Sequence, residues 1–304
     1  MKMEHHYQAL IDAVCTIAQR DGDFSTAIPE LSLYRRSRPE APAPCLYPRG
    51  LVLILQGWKQ ILHGQRTLEY GAGDSLVFTV DLPVVSQLVQ ASPERPFLGL
   101  LLQLDSALLV QVANDTEEWR SADKVEPNSL SIAAADSGLL QAVTRLVQLH
   151  QEPHLLPHLA PLIQKEIALR LLTGVHGAAL RSLLTVGSPA QKIARAMRWL
   201  KQHFAEKTAI DALAANVSMS PTTFRQHFRQ IAGISPLQYQ KQLRLQQAKQ
   251  LMLNEATDIA NACAQVGYES VSQFSREYKR FFGEPPQRDV RRGKSSMDNA
   301  RRSG

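Results

Sequence analysis

The sequence has few of the features that mark secreted, membrane or disulfide-bonded proteins. Its three cysteines, Cys15, Cys45 and Cys263, are odd in number and far apart, so they form neither a disulfide framework nor a zinc pattern. The longest apolar run, LVLIL at 51–55, has the length of a strand rather than of a membrane span. The N-terminal stretch lacks the apolar core of a signal peptide, and its spacing predicts a short amphipathic helix. We therefore expect a cytoplasmic protein with no membrane partner.

Patterns that indicate catalysis are also scarce. No serine, cysteine or aspartate constellation has a nearby base, and no glycine-rich loop would cradle a phosphate. His63 lies beside a turn, and we interpret it as an exposed turn residue. His150, His154 and His158 are four residues apart, as helical metal ligands would be, but two intervening prolines should interrupt a regular helix. The sequence predicts no metal, no cofactor and no catalytic residue.

Charge is distributed unevenly along the 304 residues. Residues 188–304 carry 19 Lys and Arg against 9 Asp and Glu, a net charge of +10, whereas the other 187 residues carry 15 against 19, a net charge of −4. A domain that binds nucleic acid needs such an excess of cations to neutralise phosphates. The last residues, 291–304, are basic and poor in apolar side chains. We expect them to be disordered, either as a backbone-contacting tail or as a solubilising one.

One stretch of the basic region is present in two similar copies. The first copy, 210–236, reads IDALAANVSMSPTTFRQHFRQIAGISP, and the second, 259–286, reads IANACAQVGYESVSQFSREYKRFFGEPP. Each copy predicts a short helix, a turn, and a second helix that ends at a glycine. Ser220 followed by Pro221 is typical of a helix start. The second helices have apolar residues at i, i+4 and i+7, which should be buried: Phe224, Phe228 and Ile231, and Phe274, Tyr278 and Phe281.

The opposite faces of these second helices carry hydrogen-bonding and cationic side chains and no carboxylate. Such a face in a helix-turn-helix reads base edges and phosphates in the major groove of DNA. A single polar face would be interpreted as solvated surface, but two copies with the same layout favour DNA binding. The candidate DNA-binding residues are Thr222, Arg225, Gln226 and Arg229 in the first copy, and Ser272, Ser275, Arg276 and Lys279 in the second.

Residues 236–253, between the copies, begin with a proline and contain no internal helix breaker. Their broad apolar side predicts one long helix that joins the two units. At 1.5 Å per residue it would be roughly 25 Å long. This length is compatible with the roughly 34 Å between successive major-groove faces of B-DNA, so one subunit would be able to read two grooves.

Residues 190–290 resemble the DNA-binding domain of the AraC/XylS family of bacterial transcription regulators. The resemblance rests on the MSP turn, the GISPLQY junction, the LRLQQAKQLM linker, and VGYES followed by SQFSREYKRFFGEPP, in this order. It implies a domain that binds promoter DNA and usually activates transcription, with RNA polymerase as a partner. By position in the family, the base-reading surface comprises Thr222, Arg225 and Gln226, together with Ser272, Gln273, Ser275 and Arg276.

Between residues 41 and 104 the pattern changes to short β-rich runs that are separated by turn signals, which predicts a small barrel or jelly roll. The predicted strands are 51–56, 58–63, 66–70, 75–80, 84–89 and 97–104. The segments APCLYPRG, LVLILQGWK, LEYGAGDSLVFTVDLPV and ASPERPFLGLLLQLD resemble the cupin-like N-terminal domain of one AraC-type subfamily. This resemblance implies a pocket inside the barrel for a small-molecule effector of unknown identity.

Two segments after the barrel, 137–149 and 159–172, have apolar residues at helical spacing on more than one face. They must bury these faces against the barrel or against a second subunit; the subfamily resemblance favours a homodimer, and packing within the chain is the alternative. Residues 174–189 are interpreted as a hinge. Cys45, where the chain enters the barrel, is a candidate thiol sensor with an inert cysteine as the default, because Arg49 is the nearest activating group.

The predicted fold class is therefore α+β. Residues 1–185 should form a cupin-like β-barrel, about 28–130, with flanking helices, about 136–184. Residues 190–290 should form an all-α domain of two helix-turn-helix units joined by a linker helix. The expected function is a ligand-responsive transcription activator that reads two successive major grooves. The alternatives are a constitutive DNA binder whose barrel only dimerises, and an enzyme with a cupin-like catalytic barrel and an appended DNA module.

Overall fold

A computed structural model describes residues 2–116, 128–254 and 257–293 of the chain. In these ranges the N-terminal domain is built on two antiparallel sheets. The six-stranded sheet has the order β1 (Gly22–Ser25), β2 (Leu31–Arg36), β9 (Phe97–Gln103), β4 (Gly50–Gln56), β7 (Asp74–Phe78) and β10 (Leu130–Ala134). The four-stranded sheet has the order β3 (Glu40–Tyr47), β8 (Leu82–Gln90), β5 (Trp58–His63) and β6 (Arg66–Gly71).

All six strands that the sequence predicts are confirmed within two residues at each end. The glycine turns explain this agreement, because Gly57, Gly64 and Gly73 have φ values of 89°, 60° and 96° and so end the runs sharply. Four strands escaped the sequence analysis. One of them, β3, contains two prolines and lies at the edge of its sheet, where a missing N–H is tolerated but the strand pattern is obscured.

Strand β4 is buried on both faces, which accounts for its uninterrupted apolar run. Leu51, Leu53 and Leu55 pack against helices that cover the six-stranded sheet. Val52 and Ile54 point the other way, into the space between the sheets. The covering helices are α1 (Lys2–Ile17), α2 (Ser106–Asp115), α3 (Ser137–Gln148) and α4 (Leu156–Thr173), with a 3-10 turn at Leu149–Gln151.

The hinge interpretation of residues 174–189 is wrong for half of that segment. Half of it is helix α5 (Gly177–Leu184), which is firmly packed. Leu180 joins the core beneath the covering helices, and Leu183 joins the core between the sheets. Small residues and glycines suggested flexibility, but Gly177 is required by packing, since a Cβ there would lie 2.1 Å from the carbonyl oxygen of Leu172.

The C-terminal domain is all helical in the residues described. Its helices are α6 (Pro189–Gln202), α7 (Ile210–Asn216), α8 (Pro221–Ala232), α9 (Pro236–Asn254), α10 (Ile259–Gln265) and α11 (Val271–Phe282). The two predicted helix-turn-helix units are α7 with α8 and α10 with α11, and the predicted linker helix is α9. A further helical segment, 286–293, follows. Residues 291–293 of the predicted disordered tail are thus helical, and the rest of that tail lies outside the described residues.

One contact between the two domains joins Asp81 and the turn at residues 63–64 to α6, to the end of α8 and to α9. The Tyr239 hydroxyl donates to the Asp81 carbonyl oxygen at 3.1 Å, and Lys201 forms an ion pair of 2.6 Å with the Asp81 carboxylate. Gly233 faces the hairpin turn, since a Cβ on it would lie 2.9 Å from both the Gly64 nitrogen and a ring carbon of His63. His63 is consequently half-buried at this interface, and its interpretation as an exposed turn residue is wrong. Burial lowers its pKa.

In the ranges that the structure covers, no single helix has the length and hydropathy to cross a membrane. Helices α4 and α5 together reach that threshold by length and composition alone, but they meet at an angle of 99°.

Candidate nucleic-acid interface and barrel cavity

The two helix-turn-helix units are built by the same local devices. Ser220 and Ser270 cap the second helices by accepting hydrogen bonds from the backbone N–H groups three residues on. Gly233 and Gly283 end these helices in the left-handed region, with φ values of 73° and 85°. The predicted buried faces are confirmed at Ile231 and at four fully buried aromatics, which are Phe224, Phe228, Phe274 and Tyr278. Phe281 is only partly buried.

The candidate DNA-binding face of the first unit is exposed. Thr222, Gln226 and Arg229 all point away from the core on α8. Arg225 is exposed as well, but its guanidinium forms an ion pair with Asp211, a carboxylate that comes from α7 rather than from the face itself. Sequence reasoning missed this partner because it considered only the second helix.

The candidate face of the second unit lies on α11. Ser272, Gln273, Arg276 and Lys279 are exposed, and Ser275 is half-buried. The Arg276 side chain donates from Nε to the Ser272 carbonyl oxygen at 3.3 Å, so it lies along its own helix. The structure therefore brings each set of candidate residues onto one helix face and leaves most of their polar groups available.

The carboxylate of Glu277, which also lies on α11, is engaged within the unit and accepts from the Gln273 amide of this face at 3.2 Å. It accepts hydrogen bonds from the Tyr268 hydroxyl at 2.8 Å and from Lys241 at 3.0 Å. Burial alone would raise the pKa of Glu277, but these donors and Gln273 hold it below its ordinary value. The acid is thus neutralised inside the unit, and the exposed face keeps its cationic character.

The linker helix fixes the two units to one another. From α9, the Arg244 guanidinium donates to the carbonyl oxygens of Phe204, Ala205 and Glu206, in the segment between α6 and α7, at 2.6 to 3.2 Å. It also donates to the Gly267 carbonyl oxygen, in the turn of the second unit, at 2.9 Å. One turn earlier, Gln240 donates to three acceptors in residues 204–208. The sequence analysis missed both residues, although a lone Arg on the apolar side of a helix is a usable signal.

A cavity of about 280 Å³ lies between the two sheets of the N-terminal domain. Its walls are mostly apolar, with Val52, Ile54 and Leu101 from one sheet and Leu88 from the other. The polar lining includes Tyr47, Lys59 and Ser86 on the four-stranded sheet. This interior site agrees in position with the effector pocket that the family resemblance implies.

Lys59 projects from β5 into this cavity. Its ammonium nitrogen lies 3.2 Å from the Tyr47 hydroxyl and 5.0 Å from the centre of the Phe97 ring. The Tyr47 hydroxyl in turn lies 3.3 Å from that of Tyr70 and 3.5 Å from the Ser86 hydroxyl. These groups, Lys59, Tyr47, Tyr70 and Ser86, are called the Lys59 cluster below.

Cys45 is half-buried and lines the same cavity. Burial raises the pKa of its thiol to about 11, against a smaller opposing effect of the nearby Lys59. Arg49, which sequence reasoning considered, instead donates to the Leu104 carbonyl oxygen at 3.0 Å. The environment favours the neutral thiol, which is the inert form of the residue.

Among the described residues, no group of three or more His, Cys, Asp or Glu side chains is arranged to hold a metal ion. His150 lies in the 3-10 turn and His158 inside α4. The prediction that proline would break a helix here is only partly right. Pro157 occupies the first turn of α4, where its missing N–H costs nothing, and the helix continues past Pro161.

The cavity and the C-terminal domain share structural elements. Strand β3, which brings Cys45 and Tyr47 to the cavity, contacts α11 of the second helix-turn-helix unit. Strand β5, which carries Lys59, ends at the His63 turn that packs against the first unit. Strands that line the cavity therefore also contact both helix-turn-helix units.

Comparison with known proteins gives matches over both domains. Residues 27–179 match the family model described as AraC-type transcriptional regulator N-terminus, and residues 213–292 match one described as helix-turn-helix domain. The HTH-type transcriptional activator RhaS of Escherichia coli O139:H28 is 29% identical over 36% of this chain and 38% of its own length. That of Escherichia coli O1:K1 is 27% identical over 52% and 56%. The chain thus spans about two-fifths to just over half of these curated relatives.

Solved structures of ToxT from Vibrio cholerae align with almost the whole of both chains. One from strain O395 gives a TM-score of 0.61 at 13% identity, and covers 86% of this chain and 97% of that one. One from strain SCE256 gives a TM-score of 0.53 at 11% identity, and covers 89% and 97%. At these identities the likeness concerns the fold.

Proposed function

This chain belongs to the AraC/XylS family of transcription regulators, and we propose that it activates transcription by reading two successive major grooves of promoter DNA in response to a small molecule. The observation that carries the DNA-binding part is the duplicated exposed face on α8 and α11. Both faces are polar and cationic, both lie on the second helix of a helix-turn-helix, and the domain around them has a large excess of positive charge.

Reading of two grooves is supported by the linker. Helix α9 has 19 residues, which corresponds to about 28 Å at 1.5 Å per residue. Arg244 and Gln240 hold the segment that leads into the first unit against this helix, and Arg244 also holds the turn of the second unit. A fixed spacing near one turn of B-DNA, about 34 Å, would let both recognition helices enter grooves on the same side of the duplex.

Specific roles follow from side-chain chemistry. We assign base reading to Thr222, Arg225 and Gln226 in the first unit, since amide and guanidinium groups match adenine and guanine edges. In the second unit we assign it to Ser272, Gln273, Ser275 and Arg276. Arg229 and Lys279 lie later on the same faces and are assigned to phosphates. Arg225 would exchange Asp211 for a base, so that this ion pair tunes affinity.

Ligand response is supported by the cavity and by its position between the two contacts with the C-terminal domain. The fold relative ToxT has been crystallised with an unsaturated fatty acid and with (E)-4-(8-methylnaphthalen-1-yl)but-3-enoic acid. We propose that this chain likewise takes a small-molecule effector, and that it takes it between its two sheets. Occupancy would shift β3 or β5 and thereby change how the helix-turn-helix units are held.

The proposal also includes activation of transcription and formation of a homodimer. The relatives from Escherichia coli are named as transcriptional activators, so RNA polymerase is the expected protein partner and the cytoplasm the expected location. Most of the apolar surface of α3 and α4 is buried within the chain, but three leucines of α4 remain exposed: Leu159, Leu162 and Leu169. We propose that these leucines form the homodimer contact.

The DNA-binding proposal is tested by selecting bound fragments from a genomic library with the purified full chain, then titrating a selected fragment at several salt concentrations. Four cations on the two faces should release counterions, so log affinity should fall against log salt with a slope steeper than about −3. The control is a chain that carries Arg225→Ala and Arg276→Ala together. If the wild-type chain selects no fragment above the background of this control, the proposal is rejected.

A further inference from the structure

Lys59 occupies a position that the strand pattern assigns to the interior. Side chains of a strand alternate between faces, and Ile61, two residues later, is fully buried in the core between the sheets. Lys59 shares that face, whereas Trp58 and Leu62 on the other face are exposed. A lysine here places an ammonium group where a leucine or valine would otherwise pack.

This ammonium group lacks a compensating charge in the part of the chain that the structure covers. Its hydrogen-bond partner is the neutral hydroxyl of Tyr47, and no ion pair forms. The other cation that lines the cavity, Arg36, is already paired with Asp23 and with Glu40. A partly buried charge without a counter-charge is costly, and an anionic ligand that enters the cavity would supply one.

We propose that the cavity binds a small hydrophobic monocarboxylate, with the carboxylate on the Lys59 ammonium and the Tyr47 hydroxyl and the hydrocarbon part against the apolar wall. This assignment rests on the proposed ligand response and names its chemistry. One Lys and one hydroxyl donor match the single charge of a carboxylate. A phosphate monoester carries close to two charges and is better served by a bidentate Arg, but Arg36, which lines the cavity, is engaged with Asp23 and with Glu40, and Glu40 also lies on the cavity wall.

Size and lining restrict the hydrocarbon part. The cavity of about 280 Å³ corresponds to roughly nine water volumes, which suits a ligand of about ten non-hydrogen atoms. Aliphatic walls from Val52, Ile54 and Leu88 and the Phe97 ring accept either an alkyl chain or one aromatic ring. Behind Tyr47, the Tyr70 and Ser86 hydroxyls orient its phenol group, so the Lys59 cluster offers its donors in a fixed direction.

The test uses the full chain and two probe pairs that differ only in charge: octanoate with octanamide, and phenylbutyrate with phenylbutanamide. Calorimetric titration should show that at least one carboxylate binds more than about tenfold more tightly than its amide. Lys59→Met removes the charge at nearly constant length, and Lys59→Gln keeps a donor toward Tyr47 without the charge. Both variants should lose the preference for the carboxylate, whereas Lys165→Met, on the surface of α4, should retain it.

Thermal unfolding without ligand guards against loss of fold and gives an independent result. Because Lys59→Met removes an uncompensated charge, its melting temperature should equal or exceed that of the wild type. If neither carboxylate is preferred over its amide, or if the preference survives both Lys59 variants, the assignment is overturned. Binding of the wild-type chain to a selected promoter fragment is measured in the same preparation; promoter binding with no carboxylate preference rejects this inference alone, and absence of promoter binding rejects the proposed function.

Discussion

Arg244 in the linker helix donates from Nη1 to the Gly267 carbonyl oxygen, 2.9 Å away, and thereby ties α9 to the turn of the second helix-turn-helix unit. The same guanidinium holds the three carbonyl groups at 204–206 that follow the first long helix of the domain. One side chain thus ties both the segment before the first unit and the turn of the second unit to the linker helix.

Arg244→Met should lower the free energy of unfolding of the C-terminal domain by about 2 to 4 kcal/mol. The reason is that several carbonyl groups lose a charged donor while remaining partly buried. Chemical denaturation of the full chain, followed by circular dichroism, measures the change. The matched control is Arg280→Met on the exposed side of α11, and equal stability of the two variants would show that the Arg244 contacts are dispensable.

The turns of the two units make a reciprocal test possible. Gly267 has φ of 80°, and a Cβ there would lie 2.0 Å from the Ala205 carbonyl oxygen. Its counterpart Ser218 adopts φ of 54° without being glycine. Gly267→Ser should therefore cost more than about 2 kcal/mol of stability through strain and steric overlap. Ser218→Gly should change stability by less than about 1 kcal/mol in either direction. Similar costs in both turns would contradict the close approach at Ala205.

Phe228→Ala should unfold the first unit. The ring is fully buried, at 5.6 Å from the Phe224 ring and 5.5 Å from that of Tyr239. Truncation of such an aromatic costs about 3 to 5 kcal/mol. The neighbouring exposed residue supplies the control: Arg229→Ala should keep the melting temperature and weaken DNA binding instead. A native melting temperature for Phe228→Ala would mean that the buried face of α8 is misassigned.

Stability should depend on pH through His176, which is buried between the hydroxyls of Ser75 at 2.9 Å and Ser131 at 2.8 Å. Burial lowers its pKa from 6.5 to about 4. Below pH 6.5 the unfolded chain therefore binds a proton that the folded chain does not bind. Stability is fully present above pH 6.5 and falls by about 3 kcal/mol toward pH 4.

Denaturation at stepped pH values should show that His176→Gln loses this part of the acid dependence. His154→Gln, at an exposed position before α4, should retain it. An unchanged acid dependence in His176→Gln would assign the effect to other groups.

How far the sequence predicts the fold differs between the domains. In the C-terminal domain local signals agree with packing, so caps such as Ser220 and the spacing of Phe224 and Phe228 predict the elements almost to the residue. In the N-terminal domain, the turn glycines allowed the bounds of the central strands to be predicted. The proline-containing edge strand β3 and the packed helix α5 were missed, because their structure depends on neighbours that are distant in sequence.

In the candidate sites, too, features within one element can be predicted from the sequence, and contacts between elements cannot. The exposed faces of α8 and α11 follow from helical periodicity and need no tertiary information. The ion pair of Arg225 with Asp211, the contact of His63 with Gly233 and the isolation of Lys59 join separate elements, and periodicity cannot reveal them. The alternation of Lys59 with Ile61 on β5 is a signal in the sequence that the strand prediction left unused.

The central claim is that one chain reads two successive major grooves through α8 and α11. Footprinting at base resolution on a selected promoter fragment tests it most directly, with wild type, Arg225→Ala and Arg276→Ala compared. We predict two protected groove segments centred about one helical turn apart. Each variant should lose sequence preference in a different segment and bind about 1 to 3 kcal/mol more weakly. A single protected segment, or two variants that affect the same bases, would contradict the account.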